Sequence, residues 1–387
     1  MNSSKNNNNI VFLSAGDSSG DIHGANLMNK LLEKNRNLIF YGLGKDRMKQ
    51  EGLHCIHDMT SKSVMWLHVL KELRSFLKMK RDCVRFIGKS MPKVVILIDY
   101  CGFNFYLAKA AKKLKIPVIY YICPQLWAHG PWRIKKMKKL VDKVIVIYPF
   151  EKDFYEKAGV DVSYVGHPLF DETGKRNNNS EISEKQKAQT VVVSLLPGSR
   201  KQEITRHLPL LLQSAVQINQ KIPSSQFLIS CSGKRQFHLI NSIAKEFKIG
   251  YRIITDNVHE VITSSDICIA GSGTITLQIA YYHKPMIIIY KISPFAYFVG
   301  KPFLITPYIG LVNVLANKEI VPEKLMYGKN YSWITKQALQ LLQDNQRRKT
   351  CEEEIARLMD AIGRPGASEK AANEILAFMK RKTDTKG

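Results

Sequence analysis

VVVSLLPGSRKQEITR, residues 191–206, decides the fold. Its opening run of β-branched and apolar residues reads as a strand buried on both faces. Pro197-Gly198-Ser199-Arg200 breaks that strand, and Glu203 opens an amphipathic helix. In a parallel sheet a strand-turn-helix junction of this kind lies at the carboxyl edge. There backbone N–H groups and a helix N-terminus favour anions, and Arg200 adds a planar, fork-shaped cation. The turn is either a phosphate site or a tight turn whose arginine is merely solvated.

Outward from this stretch the same alternation repeats. Downstream, the pattern predicts helices over 203–220, 234–247 and from about 274, with strands over 226–230, 251–254, 267–270 and 286–290. Upstream it predicts strands over 10–14, 38–41, 94–98, 117–122 and 144–147, with helices from 21 and over 63–87 and 105–114. Strands alternating with helices call for parallel sheets covered on both faces, and 387 residues exceed a single core. The expected class is therefore α/β, two Rossmann-like domains facing a cleft, with C-terminal helices over 332–342, 351–362 and 368–380. The expected boundaries are a disordered N-terminus at 1–9, a first domain at 10–171, a second at 189–345 and C-terminal helices at 346–387. Those helices either pack back on the first domain or exchange between subunits. The stretch ETGKRNNNSEISEKQKA at 172–188 has one large apolar residue, Ile182, and reads as a linker or exposed loop.

The charge narrows the partners. Fifty-eight Lys and Arg stand against 33 Asp and Glu, a formal net charge of +25, which points to nucleic acid, membrane lipid or a phosphorylated substrate. Seven cysteines form no CxxC pair and fit reduced thiols in a cytoplasmic protein. The polar start MNSSKNNNN and the short apolar run at 10–13 do not make a secretory signal. No stretch reaches the roughly 18 to 20 apolar residues of a membrane span. The nearest, 295–315, is broken by Lys301, Thr306 and prolines. Any membrane contact is expected to be peripheral.

Five further constellations carry chemistry. SAGDSSGDIHGANLM at 14–28 follows the first strand: Gly16 and Gly20 allow close backbone approach, Ser18 and Ser19 offer hydroxyls, and Asp21 is placed to cap the helix. It is not GxGxxG and no acidic residue clearly follows a second strand, which excludes an NAD site. His23 touches substrate or packs internally. DYCGFN at 99–104 puts Asp99 at the carboxyl end of a buried strand, as general base or as helix N-cap. In YYICPQLWAHGPWRIKKMKKLVDK, 120–143, Gln125, Trp127 and Trp132 precede a lysine-rich helix suited to a sugar, lipid headgroups or nucleic acid. Trp66, Leu67 and Leu70 alternate with Lys71, Arg74, Lys78 and Arg81, the composition of a helix lying in a membrane interface or of one packed on its own core. Finally, Gly271-Ser272-Gly273-Thr274 makes a second anion-favouring turn, and two such turns suit a diphosphate. No His, Cys or carboxylate cluster has metal-ligand spacing and no GxSxG or Cys-His signature appears, so neither a metal, a cofactor nor a covalent nucleophile is expected.

Taken in order, SAGDSSGDIHGA, DYCGFN, YYICPQLWAHGPWRI, YPFEKDFYEKAGV, YVGHPLFD, LLPGSRKQEI, GSGTITLQ and LVNVLANKEIVPE resemble the motifs of the lipid-A-disaccharide synthases, inverting glycosyltransferases of the glycosyltransferase-B fold. The resemblance runs from residue 14 to about 323. It implies transfer of 2,3-diacylglucosamine from UDP-2,3-diacylglucosamine to 2,3-diacylglucosamine 1-phosphate through a β-1,6 bond. UDP would be released at the anionic inner-membrane surface of a Gram-negative cell, in lipid A and lipopolysaccharide synthesis. It further implies a cytoplasmic, peripherally bound protein, monomer or homodimer, with no nucleic-acid partner. On this resemblance Asp99 is the base, Gly198, Ser199, Arg200 and the 271–274 turn meet the UDP diphosphate, and Glu203 belongs to the UDP site. Asn104, Gln125, Trp127, Asn313 and Glu323 line the substrate site. The chain departs from the family at Asp17, usually Glu; at Cys101-Gly102, usually Pro-Asp; and at Gln278, usually a Glu that grips the ribose. The rival readings are a divergent UDP-sugar transferase or epimerase of the same fold, and a non-catalytic basic lipid-binding scaffold.

Overall fold

Central strands of a parallel sheet are apolar on both faces, and VVILI at Val94–Ile98 and IVFLSA at Ile10–Ala15 are buried along their whole length. The computed structural model describes residues 9–58, 69–127, 130–176, 190–294, 307–328 and 330–384. The chain forms two units. Unit 1 takes the chain to Glu172 and resumes at Arg364, and unit 2 is Thr173–Gly363.

Unit 1 runs β1 (Ile10–Ala15), α1 (Ser18–Lys34), β2 (Ile39–Gly44), α2 (Asp46–Gln50), β3 (His54–Asp58), α3 (Val69–Ser90), β4 (Val94–Ile98), α4 (Cys101–Lys113), β5 (Val118–Tyr121), α5 (Ile134–Leu140), β6 (Lys143–Val146), α6 (Pro149–Lys157), β7 (Val162–Tyr164) and α7 (Leu169–Arg176). Its seven strands are all parallel, in the order β3-β2-β1-β4-β5-β6-β7. Phe12, Leu97, Phe103, Leu107, Tyr120 and Val144 centre the core on the face covered by α3, α4 and α5.

Unit 2 runs β8 (Val192–Leu196), α8 (Lys201–Lys221), β9 (Gln226–Cys231), α9 (Lys234–Ala244), β10 (Tyr251–Thr255), α10 (Val258–Thr263), β11 (Ile267–Gly271), α11 (Ile275–Tyr281), β12 (Met286–Lys291), α12 (Leu311–Ala316), β13 (Glu323–Met326), α13 (Tyr331–Gln343) and α14 (Asn345–Ile362). Its parallel sheet has the order β10-β9-β8-β11-β12-β13, the same winding as unit 1. α13 packs along α8, where the Ser214 hydroxyl donates to the Tyr331 carbonyl at 3.1 Å.

The last helix, α15 (Ala367–Asp384), returns to unit 1 and packs on α1. Asp171 holds its start: Oδ1 accepts from the amides of Gly366 (2.6 Å) and Ala367 (3.1 Å), and Oδ2 from that of Ser368 (2.8 Å). Buried Lys143 pins its middle, reaching Glu374 at 3.1 Å as well as Asp161 at 3.3 Å.

Several local expectations shift. α1 begins at Ser18 because Asp17, not Asp21, is its cap: the Asp17 side chain accepts from the Gly20 amide at 2.7 Å. Residues 172–176, expected in the linker, belong to α7, while 177–188 lie outside the described residues. So do 1–8, Trp66, Leu67 and most of the apolar run at 295–315. Among the described residues no helix is long and apolar enough to cross a membrane.

Candidate active site

In a doubly wound sheet the loops that leave the carboxyl ends of the two central strands part in opposite directions and open a crevice. Unit 1 has its switch point between β1 and β4, and unit 2 between β8 and β11. Those four strand ends carry the glycine-rich first loop, DYCGFN, PGSR and GSGT.

At the end of β4 the backbone turns left-handed for two residues that are not glycine, Asp99 (φ 45°) and Tyr100 (φ 48°). Neighbouring groups hold this turn. The Asp99 carbonyl accepts from the Tyr120 hydroxyl at 2.5 Å and from Asn104 Nδ2 at 2.7 Å, and the Asn104 oxygen accepts from the Ser14 hydroxyl at 2.7 Å. Asn104, expected to face substrate, is fully buried and ties the ends of β1 and β4 together. Asp99 is half-buried. Gly16 lies under the Tyr100 ring, where a Cβ would come within 2.2 Å of Cγ.

Asp21 has a different task from the one expected. It is buried, and its oxygens accept the amides of Lys45 (2.5 Å), Arg47 (3.0 Å) and Met48 (3.3 Å), which fixes the start of α2. Ser19 bonds His23 Nε2 at 3.2 Å, and His23 packs edge-on to His167 with ring centroids 6.1 Å apart. Burial drives both imidazoles to the neutral form, with pKa values lowered to about 4 for His23 and about 3 for His167.

Gln125 and Trp127 are half-buried on the connection after β5. The Trp127 indole donates to Glu151 Oε1 at 3.1 Å and meets the Phe150 ring at 89°. Glu151 is fully buried at the third position of α6 and accepts the Tyr148 amide at 3.3 Å, half of a capping box. Desolvation pushes its carboxyl up to about 7. The sequence reading passed over Glu151, although Pro149 at the helix start and Glu two positions later are a legible signal.

The PGSR turn of unit 2 already holds an anion of its own. Glu203 Oε2 accepts the amides of Ser199 (3.1 Å) and Arg200 (3.2 Å), and Oε1 pairs with the Arg200 guanidinium at 3.2 Å. These are two of the donors expected to meet phosphate. The Arg200 side chain remains 76% exposed. Gly198 needs its positive φ of 110°, and a Cβ there would strike Glu203 Oε2 at 2.5 Å. Beside it, Ser272 donates its hydroxyl to the Ile309 carbonyl at 2.5 Å. Gly273 has φ 153° with open space where a Cβ would stand, and Thr274 is exposed. Gln278 is half-buried one turn into α11.

Asn313 and Glu323 work within unit 2. Asn313 Oδ1 accepts the amides of Ile320 (2.9 Å) and Val321 (3.1 Å), and Glu323 accepts those of Ile309 and Gly310, both at 2.8 Å. Burial raises the Glu323 pKa. His207, absent from the sequence reading, lies on the same face of α8 as Glu203. It is buried, with Nδ1 at 2.9 Å from the Pro197 carbonyl and Nε2 accepting the Lys291 amide at 3.2 Å.

The α3–α4–α5 face of unit 1 is basic and aromatic. Leu77 (50% exposed), Tyr106 and Trp132 (72% exposed) stand among Lys78, Arg81, Lys135 and Lys136. Lys80 lies over the Tyr106 ring at 4.2 Å and Lys136 over that of Phe105 at 4.5 Å. Leu70, Lys71 and Arg74 fall in α3, but their side chains are outside the described residues, as is that of Ser18. Among the described residues no group of three or more His, Cys, Asp or Glu is placed to hold a metal ion.

The chain is similar to proteins of known family along nearly its whole length. A model of the lipid-A-disaccharide synthetase family matches residues 11–377. The lipid-A-disaccharide synthase of Syntrophus aciditrophicus is 37% identical over 97% of this chain and 99% of its own, and that of Geobacter metallireducens 35% identical over 97% and 98%. Among solved structures, the UDP-GlcNAc 2-epimerase of Neisseria meningitidis bound to UDP-GlcNAc superposes with a TM-score of 0.62 at 13% identity, covering 95% of this chain and 99% of its own, a likeness of fold. With its two doubly wound parallel units and a family match from the first strand to the last helix, the chain belongs to the lipid-A-disaccharide synthetase family.

Proposed function

We propose that the chain transfers 2,3-diacylglucosamine from UDP-2,3-diacylglucosamine to the 6-hydroxyl of 2,3-diacylglucosamine 1-phosphate, forming a β-1,6 bond and releasing UDP. One observation supports the reading: the first loop and DYCGFN in unit 1, and PGSR and GSGT in unit 2, leave the strands that flank the switch point, where an α/β sheet binds its ligands. Family membership favours this activity over the epimerase and scaffold alternatives.

Asp99 is the proposed general base. It takes the proton from the acceptor hydroxyl as that oxygen bonds to the anomeric carbon and the bond from that carbon to the UDP oxygen breaks. A single in-line displacement of this kind inverts the anomeric centre. The charge that develops on the departing diphosphate is assigned to Arg200 and the two glycine-rich turns, with no step through a metal. Arg200 suits this role because its guanidinium is largely exposed and its turn is braced by Glu203. Gln278 would bond the ribose hydroxyls as a neutral partner.

Both sugars carry acyl chains, so the enzyme must work at a lipid surface. We assign the α3–α4–α5 face, with Leu77, Trp132 and its lysines, to the anionic inner membrane.

The test is mass-spectrometric detection of disaccharide from purified protein and the two substrates, with Asp99→Ala alongside. Product from the wild type and a loss of about a hundredfold or more in the variant is expected. Equal product from both would remove Asp99 from its role, and none from either would overturn the activity.

A further inference from the structure

We propose that His207 is a positioning residue for the diphosphate site, fixing the direction of the Gly198 N–H so that the PGSR turn is set before a nucleoside diphosphate arrives. The inference rests on reading that turn as a diphosphate site.

His207 follows Glu203 by four residues on α8, so the two side chains rise from one face toward the turn that precedes the helix. Glu203 takes the outer side of the turn, accepting the Ser199 and Arg200 amides. His207 takes the inner side. Its Nε2 accepts the Lys291 amide, which leaves the ring proton on Nδ1, and Nδ1 donates to the Pro197 carbonyl. Only this neutral tautomer makes both bonds. Burial favours the neutral ring and lowers its pKa, against the opposing pull of the Pro197 carbonyl and of Glu203; Arg206 and Lys291 add to the lowering. Gly271 closes the other side, since a Cβ there would come within 3.0 Å of Nδ1. One imidazole thus touches PGSR, the first residue of GSGT and the end of β12.

The consequence follows from peptide geometry. No peptide bond among those described is cis, so the Pro197 carbonyl and the Gly198 N–H point in opposite directions. Drawing the carbonyl inward to His207 turns the Gly198 N–H outward. With the next two amides committed to Glu203, the Gly198 amide is the donor this turn offers to a phosphate, and His207 aims it.

Calorimetric titration of UDP into four proteins tests this: wild type, H207F, H207N and H207Q. Phenylalanine keeps the ring volume and loses both bonds. Asparagine keeps a donor near the Nδ1 position, and glutamine keeps a group near Nε2. The expected result is a Kd for UDP raised about tenfold in H207F and H207Q and recovered to within about threefold in H207N, the size of one hydrogen bond lost and regained. KM for the UDP-sugar should follow Kd while kcat changes less. Wild-type affinity in H207F, or equal recovery in H207N and H207Q, would overturn the proposal. If H207F fails to fold, the comparison of H207N with H207Q still decides it. Arg200→Ala separates the two levels of the argument. Unchanged UDP affinity in that variant, or no UDP binding by the wild type, would overturn the diphosphate reading itself and the His207 role with it.

Discussion

The Asp99 amide donates to the Ile122 carbonyl at 3.1 Å, and both residues hold a positive φ, 45° and 56°. Tyr100 adds a third. Left-handed backbone costs a non-glycine residue about 1–3 kcal/mol, more readily tolerated where surrounding bonds over-determine it. Here β1, the first turn of α4 and β5 supply Ser14, Asn104 and Tyr120 for that purpose. The proposed base therefore sits on a strained turn whose direction is fixed by buried groups.

Asn104→Leu should show this. It leaves the Ser14 hydroxyl without its acceptor and halves the support of the Asp99 carbonyl, a loss of about 2–3 kcal/mol in stability. A lower denaturation midpoint, a fall in kcat and an unchanged Kd for UDP are expected. An unchanged kcat in folded protein would reduce Asn104 to a core residue.

Gly16→Ala probes the same turn from the other side. The added methyl must displace the Tyr100 ring, at a cost of about 1–3 kcal/mol. Turnover should drop about tenfold or more, read in the product assay beside a thermal melt.

Glu151 predicts a pH dependence. Its folded pKa of about 7 lies above the ordinary 4.5, so the folded protein binds the extra proton between those values and stability is lost as pH rises through that window. Glu151→Gln keeps the shape and removes the charge. The melting temperature of the variant should exceed that of wild type at pH 8, by up to roughly 3 kcal/mol of stability, and the difference should shrink toward pH 5. A difference independent of pH would show that Glu151 is not the titrating group.

Asp171→Ala removes three amide acceptors from the start of α15. A helix cap is worth about 1–2 kcal/mol, and limited proteolysis should cut the region around 364–384 faster than in wild type. Equal rates would mean that packing on α1 alone holds the helix.

Gln278→Glu puts a charged acceptor at the position proposed to bond the ribose. Calorimetry should find UDP bound about five- to tenfold more tightly, the rough difference of 1 kcal/mol between neutral and charged hydrogen bonds. No gain would mean that the ribose is held elsewhere.

Much of the architecture was legible because buried parallel strands write themselves as apolar runs. VVILI, VVSLL and MIIIYK are strands within a residue or so of where the pattern puts them. The short edge elements were not: β3, β7, α2 and β13 are four or five residues or fewer and carry little periodicity. The start of α4 was misread because a tyrosine gives no signal of left-handed backbone, and Tyr100 adopts it through the bonds around it. At the site, sequence located the turns but not the direction of their polar side chains. Asp21, Asn104, Glu203, Asn313 and Glu323 all sit in or beside the predicted motifs, and each makes hydrogen bonds within its own unit that spacing did not foretell. Spacing alone cannot distinguish a side chain that holds a ligand from one that holds the loop.

The return of α15 to unit 1 orders events on the ribosome. Asp171 is translated about 200 residues before the amides it caps, an interval on the order of ten to forty seconds at ordinary elongation rates. Throughout that interval the surface of α1 and the buried ammonium of Lys143 lack the helix that covers them, so the nascent chain carries an open seam until its final helix emerges.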